Sequence, residues 1–352
     1  MKKDFFKYQT QTTTHPLAME VDYAKGSYIY DSEGQKHLDF VAGVSACSLG
    51  HCHPKITEAV KTQLDKYLHV MVYGEYILEP AVELTKLLAQ HLPATLQTTY
   101  LVNSGTEAIE GSMKLARRAT GRTEIIYAHN AYHGNTLGAL SVMGYEERKK
   151  AFRPLLPDCN PIHFNSEEDA KKITKNTAAV LLETIQGGAG FILPENDYLK
   201  KVKNRCNEVG ALLILDEIQP GFGRTGKLFS FEHFDVIPDI LVMGKGMGGG
   251  LPIGAFTASN ELMSQLGHSP TLGHITTFGG NPVIAAAALA TLKEITESQL
   301  IPQTLVKEKL FRELLKHSLI KEIRGRGLML ILLMESAEIA SEVILKCNVR
   351  GV

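Results

Sequence analysis

From about residue 46 to residue 280 this chain alternates short apolar runs with longer amphipathic segments, and that rhythm admits few architectures. TTYLV, EIIYA, AAVLLE, ALLILD, ILVMG and GAFTAS are too short for helices and are rich in consecutive apolar residues, the pattern of strands covered on both faces. The segments between them, such as EAIEGSMKLARRATG, repeat apolar residues at helical spacing. The expectation is an α/β fold in which a largely parallel sheet lies between helical layers. Ligands of such sheets gather at the carboxyl ends of the strands.

The flanks differ. Residues 1–45 read as an arm with short strands, where SEG turns a hairpin inside GSYIYDSEGQKHLDFV. Residues 46–285 would form the large domain. Residues 286–352 read as a smaller lobe, built from most of the alanine-rich helix PVIAAAALATLKEITES, the helical KEKLFRELLKH, the strand-like GLMLILLME and the helix in EIASEVILKCNVRGV. This lobe stops where another strand is expected, and so reads as incomplete.

Composition narrows the partners. With 352 residues, 37 basic against 38 acidic and a net charge of -1, nothing points to nucleic acid or an anionic membrane, and small molecules are the default ligands. The five cysteines, Cys47, Cys52, Cys159, Cys206 and Cys347, are odd in number and lack a CxxC pair. Neither a disulfide framework nor a zinc site is expected, and a reducing compartment, the cytoplasm, fits them. The opening MKKDFFKYQTQTTT turns polar before any leader-like apolar stretch, and no run is long enough to cross a bilayer. In GHCHP, His51 and His53 alternate sides if extended, so the motif reads as a tight entry into a helix near Pro54 rather than a metal site.

Chemistry concentrates where the apolar runs end. NSGTEA follows TTYLV and opens a helix, so the backbone N–H groups there, the hydroxyls of Ser104 and Thr106 and the bare Gly105 make a seat for a phosphate. Taken alone, Ser104 and Glu107 also have the spacing of a capping box. AYHGNT follows EIIYA and brings Tyr132, suited to lie against a flat heteroaromatic ring, together with His133. Asp216 ends ALLILD; Ile218 would share its face if the strand continued, and Gln219 follows. Lys245 follows ILVMG at the mouth of a glycine-rich turn.

A lysine amine after one strand and a carboxylate at the end of an upstream strand are the tools of pyridoxal 5'-phosphate chemistry: the lysine as Schiff-base amine and proton carrier, Asp216 as partner of the pyridine nitrogen. Lys245 can do this only as a neutral amine, so burial should lower its pKa. Two other motifs point elsewhere and fail. GFGRTGK has the spacing of a nucleotide-triphosphate loop, yet Leu228 stands where a magnesium-binding hydroxyl is needed. GKGMGG has dinucleotide-loop spacing but leads into LPIGAFTAS, which is no helix.

In order and interval, SGTEA, YHG, the ETIQG around Glu183, LDEIQPGFGRTGKLF, GKGMGGGLPIGA and TTFGGNP resemble the class III aminotransferases over residues from about 27 to 334. The resemblance implies a fold-type I enzyme with a mostly parallel seven-stranded sheet, a smaller α+β domain to which the arm contributes, and a homodimer with shared active sites. It implies Lys245 and Asp216 as catalytic residues and Ser104, Gly105, Thr106, Tyr132, His133, Glu183, Ile218 and Gln219 around the cofactor. Thr277 matches a threonine given to the neighbouring subunit's phosphate. The nearest branch handles acetylornithine, ornithine and 4-aminobutyrate, with 2-oxoglutarate as acceptor; aminomutases, epimerases and decarboxylases of the same family are the alternative. Gly188 stands where several relatives have glutamate, and Asn135 where many acetylornithine enzymes have arginine. The arginine that relatives use for the α-carboxylate is expected beyond residue 352.

Overall fold

Chain entry is antiparallel. A computed structural model describes residues 1–352; after a short helix α1 (Lys2–Tyr8) come β1 (Val21–Lys25), β2 (Tyr28–Asp31) and β3 (Lys36–Leu38) in one three-stranded ribbon. The expected SEG turn joins β2 to β3, with Gly34 at φ 82° and the Asp31 carboxylate accepting the N–H groups of Glu33 and Gln35. Residues Ala42, Gly43, Val44 and Ser45 are then all left-handed, with φ from 50° to 68°. Gly50 turns the chain at φ 82°, and α2 (Pro54–Lys66) starts on its proline, as GHCHP predicts. Helix α3 (Glu79–His91) leads to the main sheet.

Each of the apolar runs is a strand: β4 (Thr98–Val102), β5 (Glu124–Ala128), β7 (Thr177–Glu183), β8 (Leu212–Asp216), β9 (Ile240–Gly244) and β10 (Gly254–Ala258). A seventh, β6 (Cys159–Ile162), carries Pro161 and lies at the sheet edge, where a missing N–H is tolerated; its short, proline-broken sequence gave no strand signal. The order is β4-β10-β9-β8-β7-β5-β6, and β10 alone runs antiparallel, pairing with both β4 and β9.

Every residue of β7, β9 and β10 is buried, because the pleat sends alternate side chains into two different cores. Val180 and Leu182 enter one, with Phe229 and Leu88; Ala179 and Leu181 enter the other, with Ile109 and Phe256. Helix α4 (Gly105–Thr120) packs on β9 and β10 and ends at the left-handed Gly121, while α5 (Tyr198–Val209) ends at the left-handed Gly210.

Beyond the sheet lie α6 (Pro282–Glu297), α7 (Leu300–Leu314), a two-stranded antiparallel pair β11 (Ile320–Arg326) and β12 (Met329–Met334), and α8 (Ala337–Val349). The arm returns to this end of the chain: the Leu38 N–H donates to the Gly351 carbonyl at 2.7 Å, and the Phe40 and Phe311 rings meet edge to face. No helix is long and apolar enough to cross a membrane.

Candidate active site

Register places the chemistry. Glu183 and Asp216 are direct neighbours at the carboxyl ends of β7 and β8, and Lys245 is the first residue after β9. Antiparallel β10 begins at the same edge, with Gly254 opposite both Gly244 and Val102. A Cβ on Gly254 would lie 2.1 Å from the Ser104 carbonyl oxygen, so only glycine lets the start of α4 close over this edge.

Asp216 is buried and doubly held. Its Oδ2 is 2.8 Å from Nδ1 of buried His133, and its Oδ1 accepts the Ile218 N–H at 2.9 Å. A carboxylate acceptor puts the proton on Nδ1, leaving Nε2, which has no partner, as the second ring nitrogen. Glu183 accepts the N–H groups of Gly187 at 3.0 Å and Tyr132 at 3.2 Å. Burial pushes its pKa up to about 7; His133 and the two N–H groups oppose that rise, and Asp216 adds to it.

Lys245 sits at φ 45°, a left-handed conformation that costs a non-glycine residue about 1–3 kcal/mol. Burial lowers its pKa, as the sequence requires, and Arg224 helps; Asp216 and Glu183 pull the other way.

The helix start is half a capping box. Ser104 Oγ accepts the Glu107 N–H at 3.3 Å, but Glu107 reaches back to the Asn103 N–H at 2.6 Å rather than to that of Ser104. The N–H groups of Gly105 and Thr106 lie in the first turn, where no intrahelical acceptor exists. Thr106 Oγ1 pairs with Thr136 Oγ1 at 2.8 Å.

Ile218 corrects the expectation that the strand continues past Asp216. The Asp216 side chain bonds two residues ahead and turns the chain, so Ile218 reaches α4 through a turn: a Cβ on Gly105 would meet its Cδ1 at 2.7 Å. Tyr132 is steadied by Asn135, whose amide donates to its hydroxyl at 2.9 Å. Gln219 donates to Ser45 Oγ at 3.4 Å, and its other amide atom faces Gly187. Thr277 is exposed and stands apart; its neighbour Thr276 is the one that holds Asn103, at 3.0 Å.

Sequence reasoning overlooked Arg224, inside the GFGRTGK motif. It donates to the Ser45 carbonyl and Ser48 Oγ, both at 2.8 Å, and so ties the left-handed turn to the strand ends. No local pattern marks this, because its partners lie almost 180 residues earlier.

Phosphate, pyridine nitrogen and aldehyde carbon each find a counterpart in this arrangement: unclaimed N–H groups and a hydroxyl at the start of a long helix, a buried carboxylate, and a lysine amine whose pKa burial lowers. The chain therefore fits pyridoxal phosphate on its own residues.

Known proteins agree. The family model described as "Aminotransferase class-III" matches residues 8–352. An acetylornithine aminotransferase of Methanopyrus kandleri is 40% identical over 309 residues, covering 87% of this chain and 78% of its own. A [LysW]-aminoadipate semialdehyde/glutamate semialdehyde transaminase of Sulfolobus acidocaldarius is 38% identical over 312 residues, covering 87% and 79%. The crystal structure of the ornithine aminotransferase from Toxoplasma gondii superposes with a TM-score of 0.90 at 30% identity, covering 100% of this chain and 86% of that one. With that agreement of motif order, sheet topology and strand-end chemistry, the chain belongs to the class III aminotransferases and is a pyridoxal-phosphate-dependent enzyme that moves an amino group from a donor to a 2-oxoacid.

Proposed function

We propose that the donor is an ω-amino acid or a basic amino acid derivative of the acetylornithine or ornithine type, and that 2-oxoglutarate is the acceptor. The single observation that carries the chemistry is the placement of the Lys245 amine, its pKa lowered by burial, at the same sheet edge as Asp216 and the first turn of α4. The names of the relatives support the donor class.

When bound, the cofactor supplies an electron sink for the carbon that loses a proton. The chain's residues do the rest. Lys245 would accept that proton from the substrate carbon as a base and, as the conjugate acid, give it back to the cofactor carbon within its reach, general acid–base work typically worth 10²–10⁴-fold. Asp216 keeps the pyridine nitrogen protonated, and His133 and the Ile218 N–H hold the carboxylate in place. Ser104, Gly105 and Thr106 bind the phosphate, Tyr132 and Ile218 cover the ring faces, and Gln219 and Glu183 line its edge.

The same reading makes the working form a homodimer. Exposed Leu64, Leu68 and Phe278 share one face, joined by the His69–Phe278 ring contact at 4.8 Å and by the Asn281 amide on the Leu68 carbonyl. Thr277, beside Phe278, then serves the neighbour's phosphate. Residues 46–285 act as the cofactor domain, and the arm and residues 286–352 as the small domain, supported by their mutual contacts. Five free cysteines support a cytoplasmic setting.

An amino-donor screen with 2-oxoglutarate tests the assignment: glutamate should form mole for mole with the oxidised donor. Turnover without an oxoacid would replace transamination by an isomerase or decarboxylase reaction of the same family. Borohydride reduction followed by peptide mapping should find the cofactor on Lys245, and an adduct elsewhere would refute its role.

A further inference from the structure

Tyr145 has no part in the motifs, yet its hydroxyl stands over Gly188, where the chain carries no side chain. Gly188 is exposed, and a Cβ there would lie 3.3 Å from the Tyr145 hydroxyl and 3.5 Å from the Tyr132 Cβ. The gap is therefore bounded by a phenol on one side and by the residue proposed to cover the cofactor ring on the other. The phenol is held in place. Gly144 exchanges backbone hydrogen bonds with the 130–131 turn, so closely that a Cβ on it would come within 2.1 Å of the Asn130 nitrogen. That fixes the chain immediately before Tyr145.

The surroundings define the complementary group. The Tyr145 hydroxyl makes no hydrogen bond within the chain, so it is free to donate to a ligand. Burial and the nearby Glu183 carboxylate raise its pKa, which keeps it a neutral donor. Arg148 stacks its guanidinium over the ring at 5.4 Å from the centroid; of the acidic neighbours, Glu146 is taken up by Arg153 and Glu183 accepts two backbone N–H groups, which leaves Glu147 to oppose the arginine. A hydroxyl donor beside a cation favours an anion and disfavours an ammonium group.

We propose that Tyr145 is a specificity-determining residue whose hydroxyl, projecting into the gap above Gly188, hydrogen-bonds the carboxylate of the bound amino donor at the end far from the transferred amine. This deepens the donor reading above and rests on it. The test compares wild type with Tyr145→Phe, which keeps the ring and its stacked arginine and removes only the hydroxyl. Two donors of equal length, 5-aminopentanoate and pentylamine, differ in the carboxylate alone.

For 5-aminopentanoate, KM should rise about tenfold in the variant, the loss expected for a hydrogen bond to a charged group. The ratio of its KM to that of pentylamine should shift by the same factor. Calorimetry on the holoenzyme with pentanoate, an unreactive carboxylate, should show Kd weakened about tenfold as well. A merely structural tyrosine would move both donors together and lower the thermal midpoint, and that result would overturn the proposal. Unchanged KM and Kd in the variant would overturn it alone, leaving the donor class standing. Failure of the wild type to use any carboxylate-bearing donor would instead sink the donor reading and this inference with it.

Discussion

Gly105→Ala tests whether the cofactor seat and the Asp216 turn are one rigid unit. The added Cβ would meet Ile218 Cδ1 at 2.7 Å, Cγ2 at 3.2 Å and Cγ1 at 3.3 Å. Carbon atoms rest at about 3.5–4.0 Å, so a rotation of the terminal methyl relieves only the worst of three clashes. Ile218 cannot simply retreat, because its Cγ2 already faces Gly244 and its N–H is bonded to Asp216. The whole residue must shift by roughly half an ångström to one ångström, and overpacking of that kind costs about 1–3 kcal/mol.

Part of that cost falls on the carboxylate meant for the pyridine nitrogen. The expected outcome is a pyridoxal-phosphate Kd raised about 5–150-fold, read by absorbance titration of the apoprotein, and a lowered urea midpoint. Ile218→Val removes Cδ1 and leaves the two milder contacts, so the double variant should recover part of the loss, a favourable coupling visible in a double-mutant cycle. The reasoning fails if Gly105→Ala binds cofactor like the wild type, or if Ile218→Val adds its own penalty with no recovery.

Other expectations concern charge, assembly and the left-handed turn. Glu217 is buried, accepts the N–H groups of Ser230 and Phe231, and has its pKa raised from 4.5 to about 7 by burial. The unfolded chain then releases this proton first as pH rises, so the native state loses stability between pH 4.5 and 7, by roughly 3 kcal/mol at most. Glu217→Gln should lessen the fall of the apoprotein's urea midpoint over that window, leaving the part that Glu183 contributes, and an unaltered slope would refute the assignment. Leu68→Asp places a charge on a side chain 62% exposed in the single chain; sedimentation should find a monomer with weakened cofactor binding, and an intact dimer would remove this face from the interface. Arg224→Met removes the one nitrogen, Nη2, that donates to both the Ser45 carbonyl and Ser48 Oγ, and should lower stability by about 1–3 kcal/mol in urea melts.

Much of the architecture was legible from local chemistry. Consecutive apolar residues in AAVLLE and ILVMG can satisfy their surroundings only between two covered faces, and both runs are central strands with every residue buried. Asp216 and Lys245 were legible because each closes such a run, and the end of a buried strand is where a polar group first meets a cavity. What local chemistry did not carry was direction and long-range pairing. The turn at Ile218 arises from the Asp216 side chain competing for a backbone N–H, which a count along a strand does not register.

By itself, then, the amino-acid order determined the layered fold, the strand ends that carry the amine and the carboxylate, and the family they belong to. Tertiary structure alone decided that His133 stands behind Asp216, that Arg224 grips a left-handed turn far back in the chain, and that Tyr145 overlooks Gly188. The reason is range: periodicity and capping act over a few residues, whereas these contacts join positions from 43 to almost 180 apart, and only packing brings such partners within a hydrogen bond's length.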